Sequence, residues 1–266
     1  MDYYFGFARE LLEKGLACEA DPYGSHNLYD MIVQFSDDVD FYSSQAGQVG
    51  GKVLDLACGS GRILKHLVEE GIDVVGLDLS GEMLQLARKK LGDCADQVEL
   101  VQGDMRSFSL PYRFNLIMIP YCSLIYMKSD EERLAVFERC YAHLNPGGRL
   151  IFDFLAGEVL EGESWPTLAL QGIHPFTNEI LLSVVQIKGL ASDLRLLNQI
   201  DYRLGLNSEG TSQVTVQHSV EAVVRPHRIQ RLLEQTGFVV KGIYTNHTLK
   251  KYDNGEECLI IAERPH

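Results

Sequence analysis

The chain has 266 residues, 45% of them apolar and 23% charged, with a formal net charge of −13. That length suits one large α/β domain or a domain with a substantial insertion, and the composition excludes a disordered or collagen-like chain. The acidity argues against a nucleic-acid partner, which needs a basic face, and no run approaches the ~20 apolar residues that cross a bilayer, so no membrane partner is expected.

The start, MDYYFGFARELLEK, lacks the basic and apolar regions of an export signal, and its Tyr3, Tyr4, Phe5 and Phe7 read as anchors of a helix. From residue 52 short apolar runs alternate with amphipathic stretches. The runs are 52–57, 73–78, 98–102, 114–119 and 149–154; between them RILKHLVEEG, EMLQLARKKLG and DEERLAVFERCYAHL carry apolar residues at helical spacing. Continuous apolar strands are buried on both faces, so the pattern predicts a parallel, doubly wound sheet with helices on each side. Asn145-Pro146-Gly147-Gly148 reads as a stop and turn. Beyond residue 155 three strands (179–188, 194–206 and 213–224) follow without helices, an antiparallel meander whose exposed edge is a candidate for pairing in a homodimer. A helix over 226–237, opened by Pro226 and closed by Gly237, and strands at 238–244 and 258–263 complete the chain. Six cysteines stand singly, in neither a zinc nor a disulfide spacing, which suits a reduced, cytoplasmic protein and implies no metal site.

The segment Val53-Leu54-Asp55-Leu56-Ala57-Cys58-Gly59-Ser60-Gly61-Arg62 sets a glycine turn between the first core strand and its helix, where the backbone passes close to a ligand. Leu64 stands where a dinucleotide fingerprint needs its third glycine, and no GKS or GKT is present. Instead, acids mark successive strands: Asp55 within the first, Asp78 ending the second and Asp104 ending the third. Strand ends of an open α/β sheet converge on its carboxyl edge, where such folds bind ligands. There a carboxylate can accept from ribose hydroxyls or from an adenine amino group.

The succession VLDLACGSGRI, GLDLSGEML, QGDM and LNPGGRLIF resembles the motifs of class I S-adenosylmethionine-dependent methyltransferases, over roughly residues 50–154 and on through the resumed α/β segment. The resemblance implies a Rossmann-like seven-stranded sheet whose last strand is antiparallel. It implies that Ala57, Gly59 and Gly61 hold the methionine portion of S-adenosyl-L-methionine, Asp78 the ribose, and Asp104 with Met105 the adenine; Asp55, Arg62, Leu79 and Pro120 complete the cofactor candidates. A closer resemblance is to the small-molecule branch of sugar and amino-acid N-methyltransferases. It implies an N-terminal helical cover, in which Tyr29 (of Leu28-Tyr29-Asp30) and Tyr42 approach the methionine end, and a β insertion. The chain then divides into a cover (1–48), a core (49–154), an inserted lid, substrate-binding or dimerisation element (155–225) and a completion of the core (226–266).

Methyl transfer needs in-line positioning more than a strong base, so the catalytic candidate is Tyr121, on the loop leaving the fourth core strand, able to orient an acceptor amine. Tyr126 and Trp165 read as packing, and Asp153 as a buried carboxylate facing the same edge. His66, His143 and His227 read as structural, while His26, His174 and His218 lie where a base for an alcohol acceptor would be sought. The expected activity is methylation of a small-molecule amine. The alternatives are O-methylation, a non-catalytic S-adenosylhomocysteine-binding protein and a nicotinamide oxidoreductase. Nine acids against two bases on residues 1–48, and eight against four on 155–225, would favour a cationic or amine acceptor.

Overall fold

The computed structural model describes residues 3–21, 23, 30, 37–173, 178–190, 193–205 and 212–266. Contacts divide the chain into two units, residues 1–34 with 159–221 and residues 35–158 with 222–266. The expected cover is therefore split. Residues 3–20 belong with the insertion. The helix α2 (Asp37–Val49) belongs with the core, because its Val39, Phe41, Tyr42 and Ala46 are buried in the core's main apolar cluster.

The larger unit is built on β2 (Val53–Leu56), β3 (Val74–Asp78), β4 (Glu99–Gln102), β5 (Phe114–Ile119), β6 (Leu144–Leu155), β11 (Val239–Tyr244) and β12 (Glu257–Glu263). Its order is β11-β12-β6-β5-β2-β3-β4. Pairs from β6 to β4 are parallel, whereas β12 runs antiparallel to both β6 and β11. The seven strands and the reversed last one agree with the sequence reading. Every residue of β2 is buried, as a strand covered by helices on both faces requires.

The helices start where the sequence caps them. Ser80 accepts from the Met83 N–H to open α4 (Gly81–Leu91), and Ser129 accepts from the Glu132 N–H to open α5 (Asp130–His143). Helix α3 (Arg62–Glu69) begins at Gly61, and α6 (Pro226–Gln235) carries its proline in the first turn. The Asn145–Gly148 turn differs from expectation. Helix α5 ends at His143 and β6 begins at once, with Leu144 paired to Phe114 and a register shift before Leu116 pairs with Arg149. Gly147, at φ 77, absorbs that shift within the strand and donates its N–H to Arg264 O, so the turn signal marks a bulge.

The smaller unit is a five-stranded sheet ordered β1-β10-β9-β8-β7, from β1 (Cys18–Glu19), β7 (Thr167–Ile173), β8 (Ile180–Gly189), β9 (Leu194–Leu204) and β10 (Gln213–Ala222). The meander expected from sequence is present, and two strands are added at its edges. Strand β1 pairs parallel to β10, and β7 pairs antiparallel to β8. Strand β7 left no periodic signal because as an edge strand it is exposed on both faces. Helix α1 (Gly6–Glu13) packs Ala8 and Leu11, with Tyr4, against Ile200 and Val216. Asn198 fixes that segment by accepting from the Phe5 N–H and donating to Tyr3 O. The aromatic start thus anchors a helix, as its composition suggests.

Candidate functional site

The carboxyl edge of the seven-stranded sheet gathers the strand ends named above. Strand β2 has β3 on one side and β5 on the other, so the turn after it sits where the order of strands reverses, the usual ligand crevice of open α/β sheets. In that turn Ala57, Gly59 and Gly61 have φ of 65, 55 and 76. Gly61 is constrained twice: its backbone is left-handed, and an added Cβ would stand 3.0 Å from the Ala87 Cβ of α4. The turn is tied to β3 by the Ala57 and Cys58 N–H groups, both donating to Leu77 O. Lys90 ties it to α4 through the Ser60 hydroxyl.

Asp78 is the third tie. Its Oδ2 accepts from the Gly59 N–H and its Oδ1 from the Ser80 N–H, each at 2.8 Å. Burial raises its carboxyl above the usual range, and these amides pull it back. Asp78 therefore shapes the turn as well as presenting its remaining lone pairs. Asp55, 1% exposed beneath the turn, has no hydrogen-bond partner for Oδ1 among the described residues. Burial lifts its pKa to about 8; Arg62 opposes the rise, and Asp78 and Asp38 add to it. Among the described residues Arg62 only partly compensates this buried acid and nothing donates to its Oδ1, a gap that a ligand ammonium would fill.

Arg62 is engaged within the chain. Its Nη1 and Nη2 donate to Asp38 Oδ1 and Oδ2, both at 2.6 Å, and Asp38 is 1% exposed. This fork joins the start of α3 to α2, so Arg62 fastens the turn to the helix in front of it. Asp104 is similarly engaged. It accepts from the backbone N–H of Arg106 and from its guanidinium, which holds the carboxyl below the usual range. Little acceptor capacity remains for an adenine amino group. Leu79, 66% exposed at the end of β3, and half-buried Met105 offer apolar surface beside it.

On the other side of β2, Pro120 is buried at the end of β5, followed by Tyr121 and Cys122, both at φ 55. Two successive non-glycine residues in the left-handed region cost on the order of 1–3 kcal/mol each. The Tyr121 ring lies 5.7 Å from the Arg62 guanidinium and is 41% exposed. Burial of its hydroxyl raises the pKa, so the phenol stays protonated at neutral pH. Next to it Asp153, near the end of β6, accepts from the Cys122 N–H and the Tyr42 hydroxyl, each at 2.9 Å. Tyr42 is fully buried, with that hydroxyl engaged.

Tyr29, His26 and His174 lie outside the described residues. His218 stacks on Tyr3 and pairs with the Tyr4 hydroxyl in the smaller unit. His143 accepts from the Leu110 N–H and bonds Arg139 O, a satisfied structural histidine, and His66 and His227 are exposed. Trp165 is 89% exposed and is not packed under a loop among the described residues, contrary to its reading as a packing residue. Sequence reasoning missed Asp38 and His247. The His247 ring lies 5.3 Å from that of Phe41 and 5.7 Å from that of Tyr42, in the neighbourhood of Asp153 and Glu257, whose carboxyls burial raises above the usual range. The signal for it was topological: because β12 reverses, with Glu257 opposite Leu155, the hairpin before it opens at the carboxyl edge. All six cysteines are free thiols, and among the described residues no His, Cys, Asp and Glu cluster could hold a metal ion. No helix of the described residues is long and apolar enough to cross a membrane.

Comparison with known proteins gives four further findings. Residues 53–148 match the family described as a methyltransferase domain. A stretch covering 47% of this chain is 37% identical to the dTDP-3-amino-3,4,6-trideoxy-α-D-glucopyranose N,N-dimethyltransferase of Streptomyces venezuelae; the chain spans about half that enzyme's length, 50%. The cypemycin N-terminal methyltransferase of a Streptomyces species is 33% identical over 227 residues, 85% of this chain and 88% of the relative. Among solved structures, an S-adenosylmethionine-dependent methyltransferase from Clostridium acetobutylicum superposes with a TM-score of 0.74 at 19% identity, over 88% of this chain and 93% of that one, which shows a shared fold.

Proposed function

The chain belongs to the class I S-adenosylmethionine-dependent methyltransferases, and on that premise we propose that it transfers a methyl group from S-adenosylmethionine to the amine nitrogen of a small-molecule acceptor. The reading rests above all on the glycine turn with its buried Asp55, an acid whose Oδ1 is left without a donor in the first core strand. Two relatives support the amine: one by its name acts on an amino sugar and the other on an N-terminus.

The donor supplies a sulfonium methyl, which is electrophile enough to need neither metal nor covalent intermediate. The chain's part is to bind, orient and keep water away. Asp55, Ala57, Gly59 and Gly61 would hold the methionine portion, with Asp55 taking the ammonium. Asp78 would take the ribose hydroxyls with the lone pairs its own turn leaves open. Leu79 and Met105 would flank the adenine, while Asp104, engaged by Arg106, fixes the turn from which Met105 projects. Tyr121, protonated at neutral pH, orients the acceptor through its hydroxyl or ring and does not act as a base. The proton shed by the amine leaves to water or to a buffer base, since a neutral amine attacks unaided.

The test is incubation with S-adenosylmethionine and matched acceptors: a dTDP-3-amino sugar, free amino acids, a short peptide and the corresponding alcohols. Products are read by mass and S-adenosylhomocysteine release. N-methylated small molecules are expected. Products only on hydroxyls, or only on the peptide, overturn the acceptor class. Tight S-adenosylhomocysteine binding without turnover on any acceptor overturns the activity.

A further inference from the structure

Asp153 has no part in the reading above, yet it sits between everything on the acceptor side of β2. The parallel register of β5 with β6 sets Ile119 beside Phe152, which brings Asp153 level with the start of the Pro120-Tyr121-Cys122 turn. Its Oδ2 takes the Cys122 N–H and its Oδ1 the Tyr42 hydroxyl. Asp38 and Tyr42 are one helical turn apart on α2, so a single helix face grips both Arg62, at the start of α3, and Asp153, on β6. Tyr121 lies between these grips, its ring against Arg62 and its following peptide N–H on Asp153.

Two left-handed non-glycine residues persist only where their surroundings over-determine them. The Cys122 N–H bond to a buried carboxylate does that here. Without it the turn relaxes and the Tyr121 ring loses its place, while the glycine turn, tied separately to Leu77, Asp78 and Lys90, keeps its own. We propose that Asp153 is a positioning residue for methyl transfer, which locks the left-handed Tyr121–Cys122 turn through the Cys122 amide and so fixes the Tyr121 ring at the methyl-transfer point. This rests on the methyltransferase reading. It assigns Asp153 a role through the backbone, distinct from contact with donor or acceptor.

Sinefungin reads that point without an identified acceptor, because it carries an amine where the donor carries its transferable methyl. Affinities for sinefungin and S-adenosylhomocysteine are measured by calorimetry for the wild-type protein, Asp153→Ala, Asp153→Asn, Tyr42→Phe, and Asp153→Ala combined with Cys122→Gly. Asp153→Ala is expected to weaken sinefungin about tenfold or more while S-adenosylhomocysteine stays within about threefold, and Tyr42→Phe to show the same selectivity at smaller size. Glycine at 122 tolerates the left-handed backbone, so the double variant is expected to recover at least half of the lost selectivity. A merely structural carboxylate predicts otherwise: both ligands weaken together, or the glycine gives no recovery, and either result overturns the proposal. If Asp153→Ala does not fold, the near-isosteric Asp153→Leu, which leaves the Cys122 N–H without an acceptor, is read in its place by the same ratio, and an unchanged ratio overturns the proposal. A wild-type protein that binds neither ligand overturns the methyltransferase reading and this inference with it; binding of both with an unchanged ratio in every variant overturns the inference alone.

Discussion

On one side of β2 the carboxyl edge is made of three consecutive strand-end turns, all between residues 53 and 106. On the other it is made of β5, β6, α2 and the hairpin before β12, whose contributions run from Asp38 to His247. The first side is held by short-range ties to its backbone amides: Leu77 O takes those of Ala57 and Cys58, and the Asp78 carboxylate those of Gly59 and Ser80. The second is held by side chains reaching across more than a hundred residues, such as Tyr42 to Asp153. Local ties make a rigid cradle suited to a ligand that never changes, the donor. Long-range ties make a site whose shape depends on several elements at once, which suits a variable acceptor.

The comparison can be broken at four places. The largest effect is expected at Asp55. Its pKa is raised to about 8 from an ordinary value near 4, so the folded state holds a proton that the unfolded state releases across that window. Stability from this group is therefore full below pH 4 and is lost as pH rises toward 8, on the order of 5 kcal/mol in all. Denaturant titrations across pH 4–8 should show wild type losing stability against Asp55→Asn; parallel curves would mean that the carboxylate already has a partner. Next is Arg62→Ala, which strands Asp38 as a buried charge and should cost about 3 kcal/mol in unfolding free energy. Loss below about 1 kcal/mol would show that the grip between α2 and α3 is dispensable.

Asp78→Ala should weaken S-adenosylhomocysteine by about 2 kcal/mol, roughly thirtyfold, through the lost ribose bonds and the loosened Gly59. Unchanged affinity in calorimetry would remove Asp78 from the donor side. The smallest effect is expected for Tyr121→Phe: S-adenosylhomocysteine affinity unchanged and acceptor turnover down about fivefold, near 1 kcal/mol. If donor affinity falls instead, the two sides are not separable.

The division between local and distant ties also explains what the sequence disclosed. The strands 114–119 and 74–78 were legible because burial on both faces leaves a continuous apolar run, and the donor-side residues because each follows its strand directly. Strand β7 was illegible, since an exposed edge imposes no alternation. Arg62 and Asp104 were read at the carboxyl edge, but the side chains they meet there were not. Nothing in a linear sequence announces that a guanidinium will be met by Asp38, 24 residues upstream, or that Arg106 will turn back on Asp104. Tyr42 and His247 belong to the same class: their roles exist only once α2 and the β11–β12 hairpin reach the same strand end.

The reversed strand β12 has a consequence for the protein during its own synthesis. One edge of β6 is satisfied by β5 as soon as it emerges, but the other waits for Glu257–Glu263, whose pairing begins opposite Leu155 about a hundred residues later. At ribosomal speeds that is about 5–20 s in which the run Leu150-Ile151-Phe152 has an open backbone edge and no cover from β12. The nascent chain must make four of the five strands of the smaller unit, β7 to β10, in that interval. Slow translation of residues 156–256 prolongs this exposure and is expected to lower the folded yield more than slow translation after residue 263, a difference that synonymous-codon variants would reveal.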